Sequence, residues 1–233
     1  PRMPSTMFKG KSNLGYRGDA ILQMDWTVGE IMKQLESLGI AKNTMIIFSS
    51  DNGPVLDDGY EDEAVSKLNG HTPAGVLRGG KYSTFEGGTR VPLIVSWPSK
   101  TKTAVSDAMI SQIDFMSSFS KMLNIRPKDI EITDSEDMLN VLLGKSHKGR
   151  TVLVEQGITS LAIIKDHWKY IEPNKGPAIN VLTNTELGNN TLPQLYDLQN
   201  DLGEKNNLAA QKPEITNELA GLLTKIKDQK NKD

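Results

Sequence analysis

The sequence predicts an α/β fold in which part of a mixed or parallel sheet is sandwiched by helices. A small α+β subdomain with an antiparallel sheet and a terminal helix is expected to follow. Three observations lead there. Apolar positions recur at helical spacing from Tyr16 to Leu38, and after Gly39 comes the continuous apolar run Thr44–Phe48. A helix leading directly into a strand apolar on both faces is the rhythm of a parallel α/β sheet. Val91–Trp97 repeats the buried-strand pattern and stops at Pro98. Past residue 145 the pattern shortens to alternating runs separated by turns, the mark of an antiparallel meander. The expected boundary therefore lies there, with an α/β portion over 1–145 and an α+β subdomain over 146–233.

Each element has its own justification. Residues 1–15 mix proline, glycine and basic residues without a period and read as loop. Pro1-Arg2-Met3-Pro4 resembles neither an initiator start nor a secretory signal, so the chain is expected to begin partway through a longer protein. In the first helix Ile21, Met24, Val28, Ile31, Met32, Leu35 and Leu38 form the apolar stripe, and Gly39 is the stop. Residues 53–80 are rich in Gly, Asp and Glu and lack a period, and a connection that long is usually functional or disordered. Ile110–Leu123 reads as an amphipathic helix with Ile113, Met116, Phe119 and Met122 on one face. Asp134 is the expected N-cap of a short helix through Leu143. Arg150–Gln156, Ser160–Lys165, Trp168–Glu172 and Leu195–Leu198 are the expected strands. Glu214–Lys227 is the terminal amphipathic helix, with Leu219, Leu222, Leu223 and Ile226 on one side.

Composition narrows the function. At 233 residues the chain can bury a sizeable core. A net charge of −2 makes no electrostatic case for nucleic acid or an anionic membrane. No apolar run is long enough to span a bilayer. The absence of cysteine excludes disulfides, thiolate metal sites and cysteine nucleophiles within this chain.

The chemistry concentrates in two places. Asp51-Asn52-Gly53 follows the strand Thr44–Phe48, and in α/β sheets ligands gather beyond the carboxyl ends of strands. A carboxylate beside a carboxamide suits Ca²⁺ or Mg²⁺, and the same three residues equally suit a plain turn. Lys81 follows Gly79-Gly80, where glycines let backbone approach an anion and the ammonium acts as a point charge. Arg78 offers a second cation, or a partner for Glu86. The alternative for both is a surface loop with solvated charge. His71, in Asn69-Gly70-His71-Thr72-Pro73, reads either as a substrate contact or proton carrier, or as an exposed loop histidine. Asp57, Asp58, Glu61, Asp62 and Glu63 lack EF-hand spacing and read as a solvated acidic loop. His147 and His167 read as non-catalytic, Trp26 and Trp97 as core, and Asn189-Asn190-Thr191 as a chance glycosylation match.

Taken together and in order, these segments resemble the sulfatases of the alkaline-phosphatase superfamily. The resemblance rests on Thr44–Gly53, on Leu77–Pro98 with its Gly-Gly-Lys and Glu-Gly-Gly segments, and on the late run Gln194–Ala209. Phe8–Ile40 looks like the stretch that precedes the signature. The resemblance implies an alkaline-phosphatase-like sheet and makes 1–145 the C-terminal part of the catalytic domain. It implies that Asp51 and Asn52 are ligands of Ca²⁺, or of Mg²⁺ in some members. It gives Lys81 a catalytic contact to the sulfate group and the leaving oxygen, with His71 and Arg78 as substrate-binding candidates. It implies a formylglycine nucleophile formed in a Cys/Ser-x-Pro-x-Arg motif. No such motif is present here, so the nucleophile is expected in an N-terminal half that this chain would need as a partner. It further implies a small-molecule or glycan sulfate ester as substrate, an aryl sulfate or a sulfated sugar, and a periplasmic or secreted bacterial protein.

Two other readings stay open at this point. A phosphatase, phosphodiesterase or phosphonate hydrolase of the same superfamily would share these segments. A non-catalytic module could bind sulfated glycans through Lys81, Arg78 and His71.

Overall fold

The computed structural model describes residues 2–125 and 134–230. In chain order the elements are α1 (Gly15–Ser37), a 3₁₀ turn (Ala41–Asn43), β1 (Ile46–Ser49), α2 (Glu86–Thr89), β2 (Leu93–Ser96), α3 (Asp114–Met122) and α4 (Leu139–Leu142). They are followed by β3 (Val152–Gln156), β4 (Leu161–Lys165), β5 (Trp168–Ile171), β6 (Ile179–Asn180), β7 (Thr185–Glu186), β8 (Gln194–Asp197) and α5 (Pro213–Lys230).

Local chemistry sets the ends of α1. The buried Asp19 carboxylate accepts the backbone N–H groups of Gly10 and Ser12, each at 2.7 Å, and folds the preceding loop onto the helix start. At the other end Gly39 takes φ +70°, and the Ile40 N–H reaches back to Leu35 O at 3.1 Å. Glycine adopts that left-handed turn without steric cost. The predicted helix is therefore present, but its packing differs from expectation. Gly15, Gly18 and Asp19 are its buried residues, while Ile21, Met24, Ile31 and Met32 are exposed. Trp26 is 46% exposed against Phe8 rather than buried in a core.

The chain divides into two compact units. One comprises Leu35–Ser49 and Leu93–Leu153. Within it β1 and β2 pair antiparallel, with Ile46 opposite Ser96 and Ser49 opposite Leu93. The sequence predicts strands buried on both faces, in a mixed or parallel sheet. Among the described residues β1 has β2 as its neighbour, its residues are half-buried, and Ile94 is exposed. The α3 helix also presents a different face. Its buried residues are Asp114 and Ser118, whereas Ile113 and Met116 are exposed. The reason is electrostatic: Arg150 Nε donates to Asp114 Oδ2 at 2.8 Å, and the Met138 N–H donates to Ser118 Oγ at 2.9 Å. At α4 it is Asp137 that accepts the Leu139 N–H, at 3.1 Å, and not Asp134.

The other unit comprises Pro1–Gln34, Ser50–Pro92 and Val154–Asp233. Its centre is a four-stranded sheet of order β3-β4-β5-β8, in which β5 runs antiparallel to both β4 and β8. Ala162, Ile163, Tyr170, Ile171 and Leu195 are buried in it. The α5 helix covers this sheet with Leu219 and Leu223, both fully buried, and Lys227 Nζ pins it to Glu172 Oε2 at 2.8 Å. Phe85 joins the core edge-on to Tyr196, with ring centroids 6.0 Å apart. The short β6–β7 hairpin has no counterpart in the sequence reading, because two-residue strands are too short to show a period. The acidic loop is only partly solvated. Asp62 is buried, Arg2 pairs with it and with Asp58, and Arg2 also donates to Val55 O and Leu56 O. Asn189 is buried, donating to Pro177 O and accepting from Thr159, so its amide is committed within the fold.

Candidate active site

The Asp51-Asn52-Gly53 turn is held by its own polar atoms. The Asn52 N–H donates to Asp51 Oδ1 at 3.0 Å, Ser50 Oγ donates to Asn52 O at 3.0 Å, and Asn52 Nδ2 donates to Gly53 O at 2.9 Å. With the amide nitrogen so engaged, the Asn52 oxygen is the donor left for a cation. Asp51 is exposed and Asn52 half-buried. These are two hard oxygen donors on adjacent residues, and Ca²⁺ takes six to eight. The turn fits a share of a Ca²⁺ or Mg²⁺ shell. Among the described residues no group of three His, Asp or Glu side chains could hold a metal.

Below the turn lies a floor of glycines. The Gly53 N–H donates to Gly88 O at 2.9 Å, and a Cβ on Gly53 would overlap Gly87 O. The Gly87 N–H donates to Arg78 O at 2.7 Å. A Cβ on Gly88 would stand 2.5 Å from Gly80 O, and one on Gly80 would stand 2.6 Å from Pro54 O. Only residues without a side chain allow three backbone segments to approach this closely. The Lys81 N–H closes the arrangement by donating to Pro54 O at 2.9 Å. The lysine loop and the Asp-Asn-Gly turn are thus two edges of one backbone knot.

Lys81 itself is half-buried, its Nζ 5.3 Å from the Tyr82 ring centroid. Tyr82 adopts φ +80°, and its carbonyl accepts the Ile158 N–H at 3.1 Å. A tyrosine in the left-handed region costs on the order of 1–3 kcal/mol, and such residues cluster where a neighbour's geometry matters. Arg78 is committed to the fold. Its Nε and Nη2 fork onto Glu186 at 2.9 and 3.0 Å, its Nη1 donates to Glu204 O at 2.7 Å, and its plane lies 4.1 Å from the Phe85 ring centroid. The partner is Glu186, not Glu86. His71 Nδ1 lies 3.1 Å from Arg17 Nη1. A guanidinium only donates, so His71 accepts there, and its Nε2 carries the proton. Burial, then the neighbouring Arg2, lowers the Arg17 guanidinium from its ordinary value. Among the described residues, neither His71 nor Arg78 makes a hydrogen bond or ion pair to Asp51, Asn52 or Lys81.

The sequence reading passed over a charged cluster beneath this floor. Lys169 on β5 is fully buried, with Nζ 2.7 Å from Glu86 Oε1, 2.9 Å from Glu155 Oε2 and 3.6 Å from Glu204 Oε1. Arg90 Nη1 reaches Glu86 Oε2 at 3.0 Å, and the Glu86 N–H donates to Glu204 Oε2 at 2.6 Å. Burial alone would lower the Lys169 pKa, but Glu155, Glu86 and Glu204 outweigh it and raise it. Burial pushes Glu204 up to about 7, against the pull of Lys169 and of the Glu86 N–H. One signal was legible: a lysine between Trp168 and Tyr170 in a strand otherwise suited to the core.

Comparison with known proteins follows the same lines. The sequence model of the sulfatase family matches residues 1–125. An N-acetylgalactosamine-6-O-sulfatase of Bacteroides thetaiotaomicron is 53% identical over 97% of this chain and 45% of its own length. The N-acetylgalactosamine-6-sulfatase of Mus musculus is 31% identical over 88% of this chain and 41% of its own length. A solved structure from work on the metabolism of multiple glycosaminoglycans by Bacteroides thetaiotaomicron superposes with a TM-score of 0.95 at 53% identity, covering 98% of this chain and 48% of that one. A sulfatase from Pseudoalteromonas sp., at 24% identity and a TM-score of 0.75, shares the fold. The chain spans about half the length of these relatives. This chain belongs to the sulfatase family.

Proposed function

We propose that this chain supplies one side of the active site of an enzyme that hydrolyses sulfate esters of a carbohydrate, with 6-O-sulfated N-acetylgalactosamine as the substrate class. The observation that carries the reading is the backbone knot that joins the Asp51–Asn52 turn to the Lys81 loop through Pro54 O and Gly88 O. It is supported by 53% identity over nearly the whole chain to a protein named for that activity.

In this reading Asp51 and Asn52 hold a divalent cation, Ca²⁺ or Mg²⁺, through carboxylate and amide oxygens. When bound, such a cation supplies positive charge against sulfate oxygens. Lys81 sets its ammonium against the sulfate and the leaving oxygen, where charge builds as the ester bond breaks. A preset cation of this kind is commonly worth several kcal/mol of barrier. His71, neutral and protonated at Nε2, presents a donor to a sugar oxygen. Arg78, its donors used on Glu186 and Glu204, braces the loop that carries Lys81. The nucleophile, a formylglycine hydrate by family resemblance, comes from residues outside this chain. The remainder of the protein is then also the partner that covers the exposed apolar stripe of α1, and this chain alone has no turnover. No helix among the described residues is long and apolar enough to cross a membrane, and a periplasmic or exported location accords with a polymeric glycan substrate.

The test is hydrolysis by the complete protein of N-acetylgalactosamine 6-sulfate and 4-sulfate, beside the sulfate and phosphate esters of one phenol. Preference for the 6-sulfate supports the reading. Faster cleavage of the phosphate ester would replace it with the phosphatase-type alternative. Sulfate-dependent binding without hydrolysis would replace it with a binding module.

A further inference from the structure

The cluster around Lys169 lies where no substrate reaches, yet it draws together four separate parts of one unit. Glu86 opens α2, Glu155 lies on β3, Lys169 on β5, and Glu204 in the turn after β8. Buried ion clusters seldom stabilise more than an apolar replacement of the same shape, because desolvating each charge is expensive. Their value lies in geometry, since each member accepts few positions of the others. Here the geometry passes straight into the candidate site. Glu86 is the residue before Gly87-Gly88. Lys169 holds its carboxylate, Glu204 accepts its backbone N–H at 2.6 Å, and two residues on the Gly88 carbonyl accepts the Gly53 N–H.

We propose that Lys169 and Glu204 are positioning residues, which act through Glu86 to fix the Gly87–Gly88 floor on which the Asp51–Asn52 turn and the Lys81 loop rest. The proposal depends on the reading of Asp51, Asn52 and Lys81 given above. Two cations, Lys169 and Arg90, face three carboxylates, Glu86, Glu155 and Glu204. A proton on Glu204 brings the cluster to neutrality, in line with the burial that raises this group. The other charged or titratable groups about Glu204 are Arg78, Tyr196 and Asp201. Loss of the Glu204 proton sets a third charge against Glu86 and Glu155 and loosens the floor.

The experiment uses the complete protein, Lys169→Met and Glu204→Gln variants, and N-acetylgalactosamine 6-sulfate as substrate. Amide hydrogen exchange is read in peptides covering 51–56 and 78–90, with 93–97 as the internal reference. Lys169→Met should speed exchange at Gly53 and Lys81 at least tenfold while 93–97 keeps its rate, and should lower kcat tenfold or more with KM within threefold. Wild-type kcat should fall as pH rises through about 7, and Glu204→Gln should lack that step. Unchanged exchange at Gly53 and Lys81, or equal acceleration in the reference peptide, would overturn the proposal. So would a Glu204→Gln enzyme that keeps the wild-type step, and that arm decides if Lys169→Met does not fold. A fully active Lys81→Ala control would sink the active-site reading instead, and the exchange rates would still report on the floor.

Discussion

Lys169 Nζ and Glu86 Oε1 meet at 2.7 Å with both side chains sealed from solvent, although 83 residues separate them in the chain. This contact ties the C-terminal sheet to the short helix α2, which carries Gly87 and Gly88. Through it, a residue late in the chain packs directly against the segment that holds the Gly53 turn.

Lys81→Ala in the complete protein should lower kcat/KM by about two to three orders of magnitude, the usual effect of deleting one preset charge-stabilising group. The melting temperature should hardly move, because Lys81 is half-buried and among the described residues pairs with no acid. Steady-state kinetics and a thermal melt of the same sample check both halves.

Asp51→Ala should raise the Ca²⁺ or Mg²⁺ concentration needed for half-maximal activity at least tenfold, since the carboxylate is the charged donor of the turn. Chelation of the wild-type enzyme should abolish turnover, and adding the cation should restore it. Asp51 is exposed, so folding by circular dichroism should be preserved.

Gly53→Ala should disturb both stability and activity. The added methyl meets Gly87 O, a backbone atom that has nowhere to go. Overpacking of this kind costs about 1–3 kcal/mol. The loss in kcat/KM should exceed what the melt explains, because the displaced atoms carry the turn itself.

Stability of the Glu204 cluster should fall as pH rises from about 4.5 to about 7. The native state keeps this carboxyl protonated where the unfolded chain has already released the proton, so unfolding gains from every increment of pH in that window. Above about 7 the slope from this group vanishes. Chemical denaturation across pH 4.5–8 should show the slope in wild type and a flatter line for Glu204→Gln.

At the acid end Asp114 acts in the opposite sense. Burial alone would raise its carboxyl, but Arg150 and the Glu136 and Ser111 N–H groups hold it below the usual range. Its contribution is present above the unfolded pKa and is lost as pH falls through the folded one. Asp114→Ala takes from Arg150, itself 8% exposed, its buried carboxylate partner and leaves it Glu136 at 3.1 Å and the Asp134 carbonyl. Breaking a buried pair from one side costs about 3–5 kcal/mol when the remaining charge is left alone; with Glu136 still in reach the loss should be smaller, and a denaturant titration at pH 7 would register it.

Much of this protein was determined by local sequence alone. The helical period of Tyr16–Leu38 with Gly39 behind it, the apolar runs of β1 and β2, the alternating strands β3, β4, β5 and β8, and the Leu219–Leu223 stripe of α5 all formed close to their expected bounds. Spacing and turn chemistry act within a few residues, so they survive in a linear reading. The ordered segments Thr44–Gly53, Leu77–Pro98 and Gln194–Ala209 carried the family resemblance in the same way. Tertiary structure decided the rest. It turned α3 onto Asp114 and Ser118 because Arg150, far along the chain, supplied a charge to bury against. It left the apolar stripe of α1 exposed among the described residues, a matter of what packs there rather than of helical period. It sent Arg78 to Glu186 and set Lys169 among Glu86, Glu155 and Glu204. Ion pairs such as Arg78–Glu186, 108 positions apart, and Lys169–Glu86, 83 apart, leave no period in a sequence, because only the folded backbone brings their charges within reach.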